Sequence, residues 1–242
     1  MLHRGARPKQ LISIDNHTRR LRGLALAAIL AIGAFAATAS ARAAVAPQDP
    51  IAQARGLVQQ AIAILENPHL TLQEERRQLR ALAEPYFDFD GMARSTLGYH
   101  WRTLTPEQRQ QFVTLFTAFM EDAALSKIQE YSGQRVEFTR ETPIAEGYMQ
   151  VQGHADLNNG SQPIPIGFMC RQVNGQWKVY DLSVDNISVM ANYRNQFNRV
   201  INDQGFDHLM AVMKQKQLEL AELLGTKGND APGAKQTDAS RD

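Results

Sequence analysis

The chain has 242 residues, with 26 lysine and arginine residues against 25 aspartate and glutamate residues, so its formal net charge is +1. Residues 1–43 hold seven of the basic residues and one of the acidic ones, which leaves 19 basic and 24 acidic residues beyond them, a net charge of about −5. That part of the chain has no basic stripe of the kind that nucleic-acid binding needs, and its single cysteine, Cys170, excludes an internal disulfide bond.

The first 43 residues have the three parts of a secretory signal peptide. A basic start ends at residues 19–22 (RRLR), residues 23–37 run without a charge, and small residues follow at 39–43 (ASARA). The apolar run is shorter than the roughly 20 residues that a membrane span needs. We therefore expect export and cleavage after Ala41 or Ala43. Residues 44–225 would form the mature domain, and the polar residues 226–242 a disordered tail.

Helices are predicted in the first half of this domain. Asp49-Pro50 predicts the start of the first, Thr71 with Glu74 forms a capping box for the second, and residues 87–97 form a short third helix with Asp88 as its N-cap. Thr105-Pro106 opens a fourth helix, which we expect to run to about residue 132.

Four strands are predicted next, over residues 134–140, 146–157, 163–173 and 176–185. Residues 158–161 (NNGS) and Asn174-Gly175 join neighbouring strands as hairpin turns. Two helices, 189–202 and 206–224, complete the pattern. Helices on one face of a four-stranded antiparallel sheet make an α+β domain.

Catalytic and metal-binding constellations are weak in this sequence. Asp88 and Asp90 alternate as a paired-carboxylate site would, but an N-cap and a first-turn acid account for them equally. His154 and Asp156 share a strand face, which is also typical of a solvated strand. The mature histidines, at positions 69, 100, 154 and 208, have no metal-ligand spacing. We therefore predict no catalytic site, no metal and no cofactor.

Apolar surface is the more informative feature. The fourth helix carries apolar residues over an arc wider than the usual stripe of about 100°, and the third strand has no charge on either face before Arg171. A solid core and the wall of a cavity have the same composition, so periodicity leaves both interpretations open.

Two stretches of sequence resemble a known family. Residues 86–94 (YFDFDGMAR), continuing through 97–102 (LGYHWR) and 105–109 (TPEQR), are similar to the first signature of the MlaC family, the periplasmic phospholipid-shuttle subunits of the Mla pathway that are also called toluene-tolerance auxiliary proteins. Residues 177–182 (WKVYDL), 187–189 (ISV) and 192–197 (NYRNQF) are similar to its second. The resemblance covers roughly residues 50–224.

The resemblance implies a function and partners. It implies a twisted sheet packed against helices around an apolar cavity that takes the acyl chains of a phospholipid as cargo. It also implies transport between an outer-membrane lipoprotein–porin complex and an inner-membrane ABC transporter with an MCE-domain ring, which maintains outer-membrane lipid asymmetry. A small periplasmic hydrolase or isomerase, or a scaffold that binds no lipid, are the alternatives.

The cavity wall expected from this resemblance combines apolar residues of the sheet with residues of two helices. The lipid-binding residues that we predict are Phe112, Phe116, Phe119, Met120, Phe138, Met149, Val151, Ile164, Ile166, Phe168, Val184, Ile187 and Tyr193. Phenylalanine and methionine suit such a wall because they fill irregular volume.

Overall fold

A computed structural model describes residues 49–128, 133–157 and 161–226. The predicted signal peptide, most of the polar tail, the last residues of the predicted fourth helix and most of the 158–161 turn lie outside these ranges. The helices in the described ranges are α1 (Pro50–Leu65), α2 (Leu72–Ala83), α3 (Phe89–Leu97), α4 (Pro106–Ile128), α5 (Val189–Gln204) and α6 (Phe206–Thr226), with a 3-10 helix at Gly98–Thr103. None of these helices combines the length and apolar composition that a membrane crossing requires.

The predicted helix starts are confirmed, and with one exception the side chain at the N-cap accepts a backbone N–H of the first turn. The backbone N–H of Glu74 donates to the Thr71 hydroxyl over 3.2 Å, and that of Gly91 donates to Asp88 over 3.0 Å. At α4 the box is reciprocal, because Thr105 and Gln108 each accept the other's backbone N–H. The exception is Asp49, which occupies the N-cap position of α1 without a capping hydrogen bond.

The sheet has five strands, not the predicted four. They are β1 (Arg135–Ala145), β2 (Tyr148–Asp156), β3 (Ile164–Val173), β4 (Gln176–Val184) and β5 (Ile187–Ser188), which lie side by side in chain order, each antiparallel to the next. The extra strand arises because Asp185 and Asn186 both adopt positive φ angles, 52° and 60°, and turn the chain back onto β4. The Asn174-Gly175 turn predicted between β3 and β4 is confirmed, with φ angles of 52° and 79°.

The helices cover one face of this sheet unequally. Helix α1 packs on β1 and β2, whereas α3 and α5 pack on β4. Helix α4 packs on α6 and α3, so its main contacts are with other helices. The predicted α+β class is confirmed, and α1 contacts different strands of the sheet from α3 and α5.

The interior between these layers contains tightly buried aromatic side chains. Six phenylalanines have at most 1% of their surface exposed: Phe112, Phe116, Phe119, Phe138, Phe168 and Phe197. The expected enclosed cavity is not seen among these described side chains, which all belong to one hydrophobic cluster. The protein's own rings occupy this space in the present conformation.

Candidate functional site

An apolar groove lies between the first turns of α1 and the sheet. Its volume is about 260 Å³, including the solvent at its mouth. It is lined by residues of α1, of the segment before α3, and of β3 and β4: Pro50, Gln53, Ala54, Leu57, Tyr86, Phe168, Cys170, Trp177 and Val179. Most of this volume is open solvent, and the walls themselves leave room for about one water molecule between them.

Side chains on one face of β2, β3 and β4 form the floor of the groove. Val151 pairs with Phe168, and Phe168 with Leu182, so one row of apolar side chains crosses three strands. A second row joins Met149, Cys170 and Val179. Since paired residues of antiparallel strands share a face, both rows point to the helix-covered side of the sheet.

The segment before α3 closes one end of the groove. The backbone N–H of Val179 donates to the Tyr86 carbonyl over 2.8 Å, and the N–H of Asp88 donates to the Val179 carbonyl over 2.9 Å. This parallel bridge occupies an otherwise open edge of β4, so it holds Tyr86 at the groove.

Asp88 fixes this segment to the sheet. It caps α3 and also forms an ion pair with Arg171 of β3, with its side chain only 10% exposed. A Cβ at Gly91 would lie 2.7 Å from the Arg171 guanidinium and 2.8 Å from the Asp88 carboxyl carbon, so a side chain at this position would displace the ion pair. The Asp88 carboxylate therefore has a structural role. Asp90 pairs instead with Arg94 over 2.9 Å.

Polar ties hold α1 against the edge of the sheet. Nε and Nη2 of Arg55 both donate to the Phe138 carbonyl of β1, over 3.1 and 2.6 Å. The N–H of Ile51 donates to the Glu141 carboxylate over 3.1 Å. A hydrogen bond to Asp49, together with burial, raises the pKa of Glu141, whereas the hydrogen bond from Ile51 favours its ionised form.

Burial changes the pKa of three titratable side chains in the domain, one of which lines the groove. Burial, with a smaller effect of the Glu141 charge, raises the pKa of the Cys170 thiol to about 12, so the thiol is protonated and unreactive. Burial lowers the pKa of His100 and raises that of Tyr193. In the described ranges no cluster of three or more His, Cys, Asp and Glu side chains is arranged to hold a metal ion.

A second apolar region, the helical aromatic layer, lies between α4, α5 and α6. The Phe112 ring stacks on Phe116 with 5.8 Å between centroids and contacts Phe197 edge-on at 6.0 Å. Phe119 contacts Tyr193 edge-on at 5.6 Å, and Tyr193 contacts Phe197 at 5.6 Å. Such pairs add to the free energy of burial, which makes this layer well packed.

Asp181 of β4 fixes the start of α5, which contributes two of these rings. One of its carboxylate oxygens accepts the backbone N–H of Met190 over 3.0 Å, and the other accepts the Ser188 hydroxyl. Ser188 in turn caps α5 by accepting the N–H of Ala191 over 2.9 Å. The second signature thus contains the contacts that orient α5 on the sheet.

The structure divides the thirteen predicted wall residues into two groups. The helical aromatic layer contains Phe112, Phe116, Phe119 and Tyr193, with Met120 half-buried beside the core. The helix-covered face of the sheet contains Phe138, Val151, Ile166 and Phe168 as buried residues, and Met149, Ile164 and Val184 as half-buried ones. Ile187 is 47% exposed. Phe168 is the member of the predicted set that lines the groove.

Sequence reasoning missed the other groove residues. The α1 residues 54, 57, 58 and 61 have helical spacing and are all buried, but this pattern is typical of any core helix. Trp177 and Val179 alternate within the second signature, which was a usable signal for a shared strand face. The groove lies between α1 and β3 residues that are more than 100 positions apart in the chain, and no local pattern predicts that they line the same space.

Comparisons with known proteins agree with this architecture. The model of the MlaC protein family matches residues 55–215. The chain is 26% identical over 134 residues to the intermembrane phospholipid transport system binding protein MlaC of Haemophilus influenzae, covering 54% of this chain and 63% of that protein. It is 25% identical over 130 residues to the toluene tolerance protein ttg2D of Pseudomonas putida, covering 53% and 60%. The match therefore spans about three fifths of each relative's length.

A solved structure shares the fold. The phospholipid-binding protein of Ralstonia solanacearum, determined in complex with a phospholipid, superposes with a TM-score of 0.60 at 24% sequence identity, over 72% of this chain and 99% of that one. The family match includes the rings of the helical aromatic layer and the groove residues from Leu57 to Val179. It begins after the groove residues Pro50, Gln53 and Ala54. The chain belongs to the MlaC family.

Proposed function

We propose that this protein is a periplasmic phospholipid carrier, exported by its N-terminal signal peptide. It takes phospholipid as cargo and passes it between an outer-membrane lipoprotein–porin complex and an inner-membrane ABC transporter that carries an MCE-domain ring. This transfer maintains the lipid asymmetry of the outer membrane. The names of the relatives support the cargo, since one is a binding protein of an intermembrane phospholipid transport system and the structural neighbour holds a phospholipid.

The energetics of lipid transfer explain why a carrier is needed. A diacyl lipid buries about 30 methylene groups, each contributing roughly 0.8 kcal/mol, so moving it into water costs more than about 20 kcal/mol. A carrier must replace nearly all of that apolar contact during the crossing. An interior lined by phenylalanine, methionine and branched aliphatic side chains supplies the replacement surface.

The observation that carries the proposal is the apolar groove over the inner face of the sheet. In this conformation the walls of the groove leave room for about one water molecule, so an acyl chain enters only when the walls separate. Beneath it lie the two apolar rows through Phe168 and Cys170, which belong to the same buried cluster as the helical aromatic layer. We infer that lipid loading widens the groove along these rows and recruits the predicted wall residues.

Movement of α1 is the simplest way to widen the groove. This helix supplies four of the groove residues, and its first turns are tied to β1 by the contacts of Arg55 and Ile51. The headgroup would stay at the mouth, where Gln53 and Tyr86 offer an amide and a hydroxyl group. Neutral groups of this kind select weakly among headgroups, so we expect broad headgroup specificity.

Organic extraction of the purified mature protein, followed by mass spectrometry, tests the cargo. We expect phospholipid in stoichiometric amount. Protein that is folded but carries no lipid from its native compartment would refute the carrier function and favour the scaffold or the enzyme. Turnover of a periplasmic substrate that is lost on replacing Asp88 or His154 would identify the enzyme.

A substitution in the groove tests the location of the cargo. Ala54 is buried and lines the groove, so Ala54→Phe should fill it and lower the lipid carried per protein several-fold. Ala63→Phe adds the same ring at an exposed position of the same helix and should keep the full lipid load. Circular dichroism would verify that both variants fold. Equal lipid in the two variants would show that acyl chains do not use this groove.

A further inference from the structure

Two arginine side chains stack on a tryptophan ring at the surface, where the 3-10 helix joins α3 to α4. The indole ring of Trp101 is flanked by two guanidinium groups, with the Arg94 carbon 5.3 Å and the Arg109 carbon 5.5 Å from its centroid. Arg109 is also anchored to the backbone, because its Nε donates to the Trp101 carbonyl over 3.0 Å and its Nη2 to the Arg102 carbonyl over 3.3 Å. These contacts fix the positions of the charges before any partner binds.

Further residues extend the stack into a surface. Arg194 of α5 is exposed and reaches across to α3, where it donates to the carbonyl and hydroxyl oxygens of Ser95 over 2.6 and 2.8 Å. Tyr99 has 59% of its surface exposed while its hydroxyl donates to Asn202 over 2.8 Å. We call this set the arginine–aromatic surface and define it as Arg94, Tyr99, Trp101, Arg102, Arg109 and Arg194.

The charge of this surface is opposite to the net charge of the chain beyond residue 43. Residues 90–109 contain three arginines against two acids, Asp90 and Glu107, and Arg194 adds a fourth arginine from α5. The same stretch contains no lysine. Because the chain beyond residue 43 has a net charge of about −5, an anionic partner would be repelled by most of the protein and attracted here.

We propose that the arginine–aromatic surface is a docking site for a protein partner with a carboxylate-rich face. This inference rests on the proposed function, since a carrier has to dock where it loads and unloads its cargo. Guanidinium groups bind carboxylates through paired hydrogen bonds, and arginine, tryptophan and tyrosine dominate the binding energy of protein interfaces.

The composition of the surface favours a protein over an anionic membrane. Membrane-surface sites combine lysine-rich clusters with exposed apolar side chains that insert among the lipids. The aromatic members of this surface are instead held in place, Trp101 between two guanidinium groups and Tyr99 by its hydrogen bond to Asn202.

Binding to poly-L-glutamate and to phosphatidylglycerol vesicles tests the charge specificity. The lipid-loaded protein should bind poly-L-glutamate more tightly than the vesicles, and added salt should weaken that binding. Arg94→Gln combined with Arg102→Gln should weaken it at least fivefold. The matched control combines Arg77→Gln with Arg140→Gln, two exposed arginines on α2 and β1, and should bind as the native protein does.

Site-specific photocrosslinking in the producing cells tests the partner. A photoreactive phenylalanine analogue at Tyr99 should crosslink to a protein through an Asp- or Glu-rich segment, and the Arg94→Gln/Arg102→Gln changes should abolish the adduct. The same analogue at the exposed Tyr148 of β2 is the control. Crosslinks to lipid, preference for vesicles, or binding that ignores the two arginines would overturn the proposal. Lipid content, measured on the same variants, reports separately on the carrier function.

Discussion

The polar tie between Arg55 and the Phe138 carbonyl offers a direct test of groove opening. Arg55→Met keeps the length and helix propensity of the side chain but removes both hydrogen bonds to β1. A hydrogen bond from a charged donor contributes about 1.5–3 kcal/mol when buried. Because Arg55 is exposed, we expect the loss to be about 1–1.5 kcal/mol. Since 1.4 kcal/mol is a factor of ten in an equilibrium constant, the population with α1 displaced should rise up to about tenfold.

Transfer of a fluorescent phospholipid from the loaded protein to acceptor vesicles measures this population. If opening limits release, Arg55→Met should transfer lipid several-fold faster than the native protein. The control is Arg77→Met, which removes an exposed arginine of α2 whose partner Glu74 lies on the same helix, and which should leave the rate unchanged. An unchanged transfer rate in Arg55→Met, alongside a measurable loss of stability in urea, would refute α1 as the moving element.

Two further predictions concern stability and pH. Gly91→Ala should destabilise the protein by about 2–3 kcal/mol in urea unfolding, because the new Cβ displaces the buried Asp88 carboxylate from its ion pair with Arg171 and from the N-cap of α3. The control is Gly56→Ala, whose Cβ meets no atom within 4 Å and which should stabilise the protein by about 0.5–1 kcal/mol. Equal effects of the two would contradict the first. The raised pKa of Glu141 means that its hydrogen bond to Asp49 stabilises the α1 contact below the ordinary carboxyl pKa of 4.5 and is lost as pH rises through the raised value. Transfer should therefore speed up over that interval, and Glu141→Gln should flatten the dependence; an unaltered pH profile in this variant would exclude Glu141 as its source.

The features that the sequence predicted correctly are local ones. A capping box needs two residues three apart, as at Thr105 and Gln108, and a two-residue hairpin needs Asn-Gly between alternating strands. The whole interaction lies within a few residues, so tertiary contacts have little opportunity to override it. The family signatures are local for a related reason, since Asp88 and Asp181 each lie within one signature and hydrogen-bond to residues a few positions along the chain.

The features that the sequence missed depend on contacts between distant parts of the chain. Strand β5 has two residues, Ile187 and Ser188, too few for any alternation, and its turn is Asp-Asn where glycine is the usual signal. The groove depends on α1 packing on β1 and β2, which places it opposite residues of β3. The fourth helix was expected to face the sheet, because an apolar arc reveals that a helix is buried and not which element covers it; in the structure its rings meet α5 and α6.

The two apolar regions differ in how much free energy their separation costs, and this difference favours the α1 side as the entrance for the proposed cargo. Separating the helices of the helical aromatic layer would expose five fully or largely buried rings. The free-energy cost is about 2 kcal/mol for each ring, or roughly 10 kcal/mol in total. Lifting the first turns of α1 breaks three hydrogen bonds and exposes the buried Pro50, Ala54 and Leu57 together with the sheet residues beneath them. Fewer large side chains lose their buried contacts there than in the aromatic layer. The packed aromatic layer thus makes the helical side the fixed part of the domain. In the proposed carrier, acyl chains would enter beneath α1 and replace the apolar contacts that are lost when this helix moves. A filled interior is therefore compatible with a carrier function.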